Sequence, residues 1–416
     1  MSFLVPLPTT CEEAEGDRMT LQKEGFQKKH IVFVFFAYLT YFAYATFYNG
    51  FGTSAPVMMD FYQITPARFG LVFTTQAIGA TAIMIYFALY GERYNKINIF
   101  AIGMLVLAAC AIGVGFAPSS FAVLIVLVVI AGIGYSASDV MLNGMIPELF
   151  PDKKNTLIPL LHAFFGTGAM MTPIIITALV NPGVPSTFGR PFLLFGSLGV
   201  GSIILFTIVS RQIIPETPYS DMDAVRKRVS SNPAEIFKTK NAWMIIAASG
   251  LFFSYLLGMT SWLPSHCIEI GLTFNTAGAI ATSYFAGSLI MRFCSPLILK
   301  KIAVRKAYVI FSLIAAATVA IALFMTIPAL IFPLVTIGGF MQGACVALLV
   351  LMSTEAFPLR AASATALVFI PANIASMGTA LWIGALAEIT GFRTPLLMVC
   401  ACLALSTFFV HRIRNN

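Results

Sequence analysis

The chain has 416 residues, 58% of them hydrophobic and 10% charged, with a formal net charge of +8. Soluble domains carry about 25% charged residues, so this composition excludes a water-soluble body. The basic residues lie between apolar stretches, as in loops on one side of a bilayer, and no nucleic-acid partner is expected.

Residues 1–30 carry Glu12, Glu13, Glu15, Asp17 and Glu24 and lack the basic start, apolar run and small-residue site of a cleavable leader. They read as a cytoplasmic N-terminal tail, with Met19 as an alternative start. Twelve apolar stretches follow: 31–58, 69–90, 97–116, 121–148, 157–180, 191–210, 242–264, 275–299, 306–327, 329–356, 362–388 and 394–411. A hydrocarbon core about 30 Å thick needs about 20 helical residues to cross it. Each stretch is therefore predicted to be a transmembrane helix, and the protein an all-α polytopic membrane protein.

The longest connection, 211–241, mixes charges of both signs with prolines. It divides the chain into an N-terminal six-helix bundle (31–210), a cytoplasmic linker (211–241), a C-terminal six-helix bundle (242–411) and a cytoplasmic tail (412–416). With twelve spans, 21 basic residues fall on the side of the termini. Only Arg68, Arg190 and Arg393 fall on the other, and Arg292 lies inside the eighth span. The positive-inside rule then places both termini in the cytoplasm of a cell whose plasma membrane holds the protein.

The halves resemble each other. Pro147-Glu148-Leu149-Phe150-Pro151 closes the fourth span, and Thr354-Glu355-Ala356-Phe357-Pro358 closes the tenth 207 residues later. Gly79 in the second span matches Gly287 in the eighth at an offset of 208, and Ile64-Thr65 matches Leu272-Thr273 at the same offset. A nearly constant offset indicates internal duplication. Six spans per copy relate the halves by an axis along the membrane normal, with a substrate site between them near the midplane.

Polar groups inside spans are costly and need a reason. Asp139 is the one acid well inside a span. Ser136, Asp139 and Asn143 recur at i, i+3 and i+7, on one helix face that Tyr135 and Gly132 extend. Asp139 is either a proton site or a structural acid bonded to its neighbours or neutralised by Arg292. Arginine keeps its proton, so Arg292 must find an anion: Asp139 or a substrate carboxylate. His162, two turns into the fifth span, either relays protons or is hydrogen-bonded within the bundle. Tyr38, Tyr41, Tyr44 and Tyr48 form a stripe on the first span that lines a cavity or packs. Gln76, Gln342 and Asn373 are further candidates for substrate contact. Glu92 and Arg93, with Lys96, read as an inner latch. Glu148 and Glu355 are candidates to pair with cytoplasmic bases and hold an outward-open state. The seven cysteines show no CxxC or Cys/His spacing, so neither disulfide nor metal is expected.

The loop after the second span reads Ala88-Leu89-Tyr90-Gly91-Glu92-Arg93-Tyr94-Asn95-Lys96. Over residues 31–410 the chain resembles the major facilitator superfamily, which carries Gly-x-x-x-Asp-Arg-x-Gly-Arg there; the acid–Arg pair and a following base survive and both family glycines are lost. Trp262-Leu263-Pro264 is also common there. Asn143, Phe150-Pro151, the run Leu160 to Ala169 with Pro173, and Ser283-Tyr284-Phe285-Ala286-Gly287 with Arg292 resemble the fucose-permease-like branch. The Gly-Pro-x-x-Gly-Gly pattern of drug antiporters is not kept around Pro173. The resemblance implies two pseudo-symmetric six-helix bundles and an acid on the fourth helix for proton coupling. That branch also uses an acid on the first helix, where this chain has Asn49. Monocarboxylate transporters are similar in holding an anion with an Arg on the eighth helix.

The expectation is a monomeric secondary active transporter of a small organic solute, an organic anion, coupled to protons and working by alternating access without a cofactor. Sugar/proton symport or export of a lipophilic molecule are the alternatives. Outside transport, a polytopic enzyme or receptor remains, although no metal cluster, Ser/His pairing or phosphate-binding Gly loop is present in the sequence.

Overall fold

The computed structural model describes residues 28–90, 94–150, 154–213, 238–357 and 361–413. The first half consists of α1 (Lys28–Tyr62), α2 (Pro66–Tyr90), α3 (Lys96–Gly115), α4 (Phe121–Leu149), α5 (Lys154–Leu179), a 3-10 turn (Pro185–Phe188) and α6 (Gly189–Ile213). The second consists of α7 (Lys240–Glu269), α8 (Phe274–Ile298), α9 (Val304–Ala322), α10 (Pro328–Gln342), α11 (Cys345–Ala356), α12 (Ala361–Thr390) and α13 (Arg393–Arg412).

Local chemistry sets several boundaries. The Asn95, Thr239 and Thr273 side chains accept from Asn98, Ala242 and Thr276 N–H, three residues on, as N-caps do. Pro66 and Pro328 open helices where no N–H is required. Gly271 and Gly391 take positive φ, 90° and 74°, at the turns after α7 and α12.

Among the described residues, eleven helical stretches are long and apolar enough to cross a membrane. α8 is not among them: its 25 residues are diluted by Asn275, Thr276, Ser283, Ser288 and Arg292. It packs on α5 and α10 as the eighth member of the set. Three span expectations are corrected. The ninth helix ends at Ala322 rather than at residue 327. The seventh helix does not end at Pro264 but runs on to Glu269. The tenth span is two helices, broken at Gly343–Ala344. There Gly343 presses on the backbone of Ser288, and its N–H is shared between the carbonyls of Gly339 (3.1 Å) and Phe340 (3.2 Å).

Packing repeats between the halves. α1 packs on α5 and α6 as α7 packs on α12 and α13; α4 packs on α2 and α3 as α10 packs on α8 and α9. Close approaches repeat as well. Gly79 lies against the carbonyl of Val129 and Gly287 against that of Thr336; Gly132 lies against Gln76 and Gly339 against Tyr284. The partners are 207 or 208 residues apart, so the two halves share one internal packing. Gly132 therefore serves a helix crossing rather than the polar face of α4.

The halves meet along α2/α12, α5/α8 and α1/α7. Most of the named contacts lie toward the end of the bundle away from the termini. Gly52 touches Thr260 and Ser261, Gly70 touches Ala380 and Leu381, Gly384 touches Pro66 and Ala67, and Gly278 touches Thr177. Thr74 Oγ1 donates to Met377 O at 2.7 Å. Trp262 donates from Nε1 to Ala380 O (3.2 Å) and packs edge-on against Phe69 and Phe73. Toward the terminal end, the groove between α7 and α12 holds a cavity of about 500 Å³, with Trp243, Ile370 and Ile374 exposed in its lining. The bundle is closed at its distal end.

Candidate functional site

The site is built on α1, α4, α5 and α8. α4 carries Asp139 and Asn143 one turn apart. Asn143 Nδ2 donates to Asp139 Oδ1 at 3.0 Å and to the Asp139 carbonyl at 2.9 Å. From α1, Tyr41 Oη donates to the same Oδ1 at 2.6 Å. The carboxyl is thus held by two neutral donors from two helices. Such bonds stabilise an ionised carboxylate and also tolerate a protonated one, whose second oxygen carries the proton.

Three tyrosines of the stripe, Tyr41, Tyr44 and Tyr48, form a stack with Tyr135. Tyr41 lies on Tyr44 (4.8 Å, 15°), Tyr44 on Tyr135 (4.3 Å, 10°), and Tyr135 on Tyr48 (4.8 Å, 21°). Phe165 closes one side, 5.6 Å from both Tyr41 and Tyr44. The Tyr44 hydroxyl is buried without a hydrogen-bond partner, which costs about 1–3 kcal/mol unless water or ligand reaches it. Tyr38 leaves the group and donates to Leu157 O at 2.6 Å.

Arg292 is half-buried on α8. Its Nη1 donates to the carbonyl of His162 at 3.3 Å. Among the described residues no carboxylate lies within ion-pair distance of it; the acid–base approach of that kind among them is at the distal end, where His266 Nδ1 and Glu269 Oε2 are 3.5 Å apart. The reading in which Arg292 neutralises Asp139 is therefore not what this conformation contains. The His162 side chain is exposed, with its ring 6.4 Å from Tyr41 in an edge-on arrangement. Tyr41, Asp139, Asn143, His162 and Arg292 thus form one connected group.

Other candidates lie elsewhere. Gln76 is buried, and its Nε2 has no partner. It lines a small void with Tyr48, Asn49, Thr260 and Ser261 where the halves meet. That void, about 20 Å³, has room for one water molecule. Gln342 is buried at the end of α10, beside the break. Asn373 turns toward α2, donating to Phe369 O (3.0 Å) and Met84 Sδ (3.5 Å), and does not join the Asp139 group. Glu355 is exposed at the end of α11. Glu92 and Arg93 lie outside the described residues, as does the side chain of Glu148.

Sequence reasoning missed Phe165, one of many phenylalanines with nothing to single it out. It also missed the acids at the distal end: Glu269 accepts from Phe392 N–H, and Glu388 accepts from Ala67 N–H. Both follow long apolar runs directly, which was the available signal.

Two six-helix halves of repeated packing, meeting beside a polar group on α1, α4, α5 and α8, place the protein among the multi-pass membrane transporters. The chain belongs to the Major Facilitator Superfamily, whose model matches residues 37–273. It is 23% identical over 337 residues to YfkL, an uncharacterized MFS-type transporter of Bacillus subtilis (strain 168), covering 77% of this chain and 81% of that one. It is 24% identical over 327 residues to YdiM, an inner membrane transport protein of Escherichia coli (strain K12), covering 76% and 77%. Among solved structures, it resembles a bacterial homologue of the human lysosomal transporter Spinster in an inward-facing, unoccupied conformation. The TM-score is 0.78 at 14% identity, over 93% of this chain and 97% of that one. It also resembles a single-site variant of the E. coli fucose:proton symporter FucP, with a TM-score of 0.64 at 14% identity over 94% and 100%. These likenesses show the fold.

Proposed function

We propose that the protein moves a small organic anion across the plasma membrane as a monomer, coupled to protons, by rocking of its two halves about the central group. With the termini in the cytoplasm, a bundle closed at its distal end is open inward. Asp139 is the proton site, with Tyr41 and Asn143 holding its carboxyl in either charge state. Arg292 is the anion grip: its charge faces no carboxylate in the described residues, and a guanidinium inside a span without a counter-ion is costly until an anion arrives. His162 lies between the two groups as the relay. Tyr44, Tyr48, Gln76, Gln342 and Asn373 contribute polar atoms to the path, and Glu92, Arg93, Glu148 and Glu355 to the inner closure.

The observation that supports this reading best is the separation of Asp139 from Arg292, which leaves one group for a proton and one for an anion. A thermal-shift screen of the purified protein against carboxylates, sugars and sterol-like compounds tests it. Carboxylates are expected to stabilise the wild type and not Arg292→Lys, because Lys keeps the charge and loses the planar fork. Stabilisation by sugars alone sinks the anion reading. A second reading, a lipophilic solute, draws on the cavity of about 500 Å³ between α7 and α12, whose lining is mostly apolar. The likeness to a fucose:proton symporter carries the fold and not the sugar.

A further inference from the structure

We propose that Glu388 is a latch that holds the distal end shut, and that it acts on one side of the molecule only. The inference rests on the rocking of the halves described above. Glu388 is near the C-terminal end of α12, in the second half. Its Oε1 accepts the backbone N–H of Ala67, in the first turn of α2, in the first half, at 2.9 Å. α2 begins with Pro66, which has no N–H, so Ala67 presents the first free donor of that helix. A carboxylate there also faces the positive end of the helix dipole. Gly384, one turn earlier on α12, lies directly on the backbone of Pro66 and Ala67, and Gly70 lies on Ala380 and Leu381. The two backbones are thus in contact where the carboxylate crosses between halves. Moving α2 away from α12 must break this bond.

The internal symmetry of the fold makes the latch conspicuous. The glycine contacts recur at the related junction, where Gly278 of α8 meets Thr177 of α5. The carboxylate does not recur. The position 207 residues before Glu388 is Asn181, whose Oδ1 accepts from Gly183 N–H within its own loop at 3.0 Å. Both helices carry their own cap, Thr273 accepting from Thr276 N–H at 3.2 Å and Thr65 from Arg68 N–H at 3.4 Å. Of the two related junctions, one has in addition a carboxylate that crosses between the halves. The distal end therefore parts first along α5/α8, and the α2/α12 contact releases last.

A matched control lies in the same region. Glu269 of α7 accepts the N–H of Phe392, beside the start of α13, at 2.9 Å. It is the same type of cap, but both helices belong to the second half, so rocking leaves it intact.

The test places a cysteine at Ser261→Cys in a background without native cysteines. Ser261 is 5% exposed and sits in the distal contact, so its rate of modification by a maleimide in purified protein reports opening of that end. Glu388→Ala should raise the rate roughly fivefold, the usual worth of a cap, and Glu388→Gln, which keeps a neutral acceptor, about twofold. Glu269→Ala should lower the melting temperature and leave the rate unchanged. Equal rates for wild type and both Glu388 variants overturn the latch while rocking stands. A rise with Glu269→Ala matching that of Glu388→Ala also overturns it, since loosening is then general. No modification in any variant overturns the latch and the rocking reading together.

Discussion

Tyr41 on the first helix and Asp139 on the fourth are joined by a hydrogen bond of 2.6 Å, and the carboxyl oxygen that accepts it also accepts from Asn143. Asp139 is therefore anchored by neutral groups. If it is the proton site, Asp139→Asn keeps an acceptor for Tyr41 and should fold, but should lose accumulation driven by a proton gradient while retaining substrate exchange. Reconstituted vesicles with an imposed gradient provide the measurement. An Asp139→Asn protein that still concentrates its substrate contradicts the assignment.

Tyr41→Phe removes one donor and leaves the acid partly unsatisfied. Losing a hydrogen bond to a charged group costs about 1.5–3 kcal/mol. The melting temperature of Tyr41→Phe should fall, and if the carboxylate is charged in the wild type the loss should shrink to that of a neutral hydrogen bond, about 0.5–1.5 kcal/mol, when Asp139→Asn is already present. Equal losses in both backgrounds place the cost in the tyrosine stack instead.

Arg292 and Asp139 form no ion pair in this conformation. The single changes Arg292→Gln and Asp139→Asn should therefore not rescue each other, and the double variant should be no more stable than the less stable single. Recovery of stability in the double variant would reveal a pairing made in another state of the cycle.

The repeated glycine contacts predict matched damage. A methyl at Gly79 would collide with the Val129 carbonyl, and one at Gly287 with that of Thr336. Overpacking costs about 1–3 kcal/mol, so Gly79→Ala and Gly287→Ala should lower the melting temperature by similar amounts. A tolerant Gly287 beside an intolerant Gly79 would show that the halves do not share this crossing.

The orientation has its own test. A cysteine introduced by Ser230→Cys, in the linker, should resist a membrane-impermeant reagent in intact cells and react after lysis. Labelling before lysis reverses the assignment of sides.

The sequence alone determined the all-α membrane-spanning character, the internal repeat and the family, because each depends on local information. Hydrocarbon thickness fixes the span length, and the repeat is written as a constant offset. It also determined that Asp139 and Asn143 share a helix face, since helical spacing imposes it. Only the tertiary structure decided what those side chains meet. That Tyr41 reaches Asp139 across 98 positions, that Arg292 turns to the His162 carbonyl rather than to the acid, and that the tyrosines stack on one another all depend on how helices rotate against each other. Periodicity carries no record of that rotation. The break at Gly343 and the Glu388 contact were hidden for the same reason. A glycine reads the same in a straight helix as at a crossing, and a carboxylate at a helix end shows nothing of a donor 321 residues away.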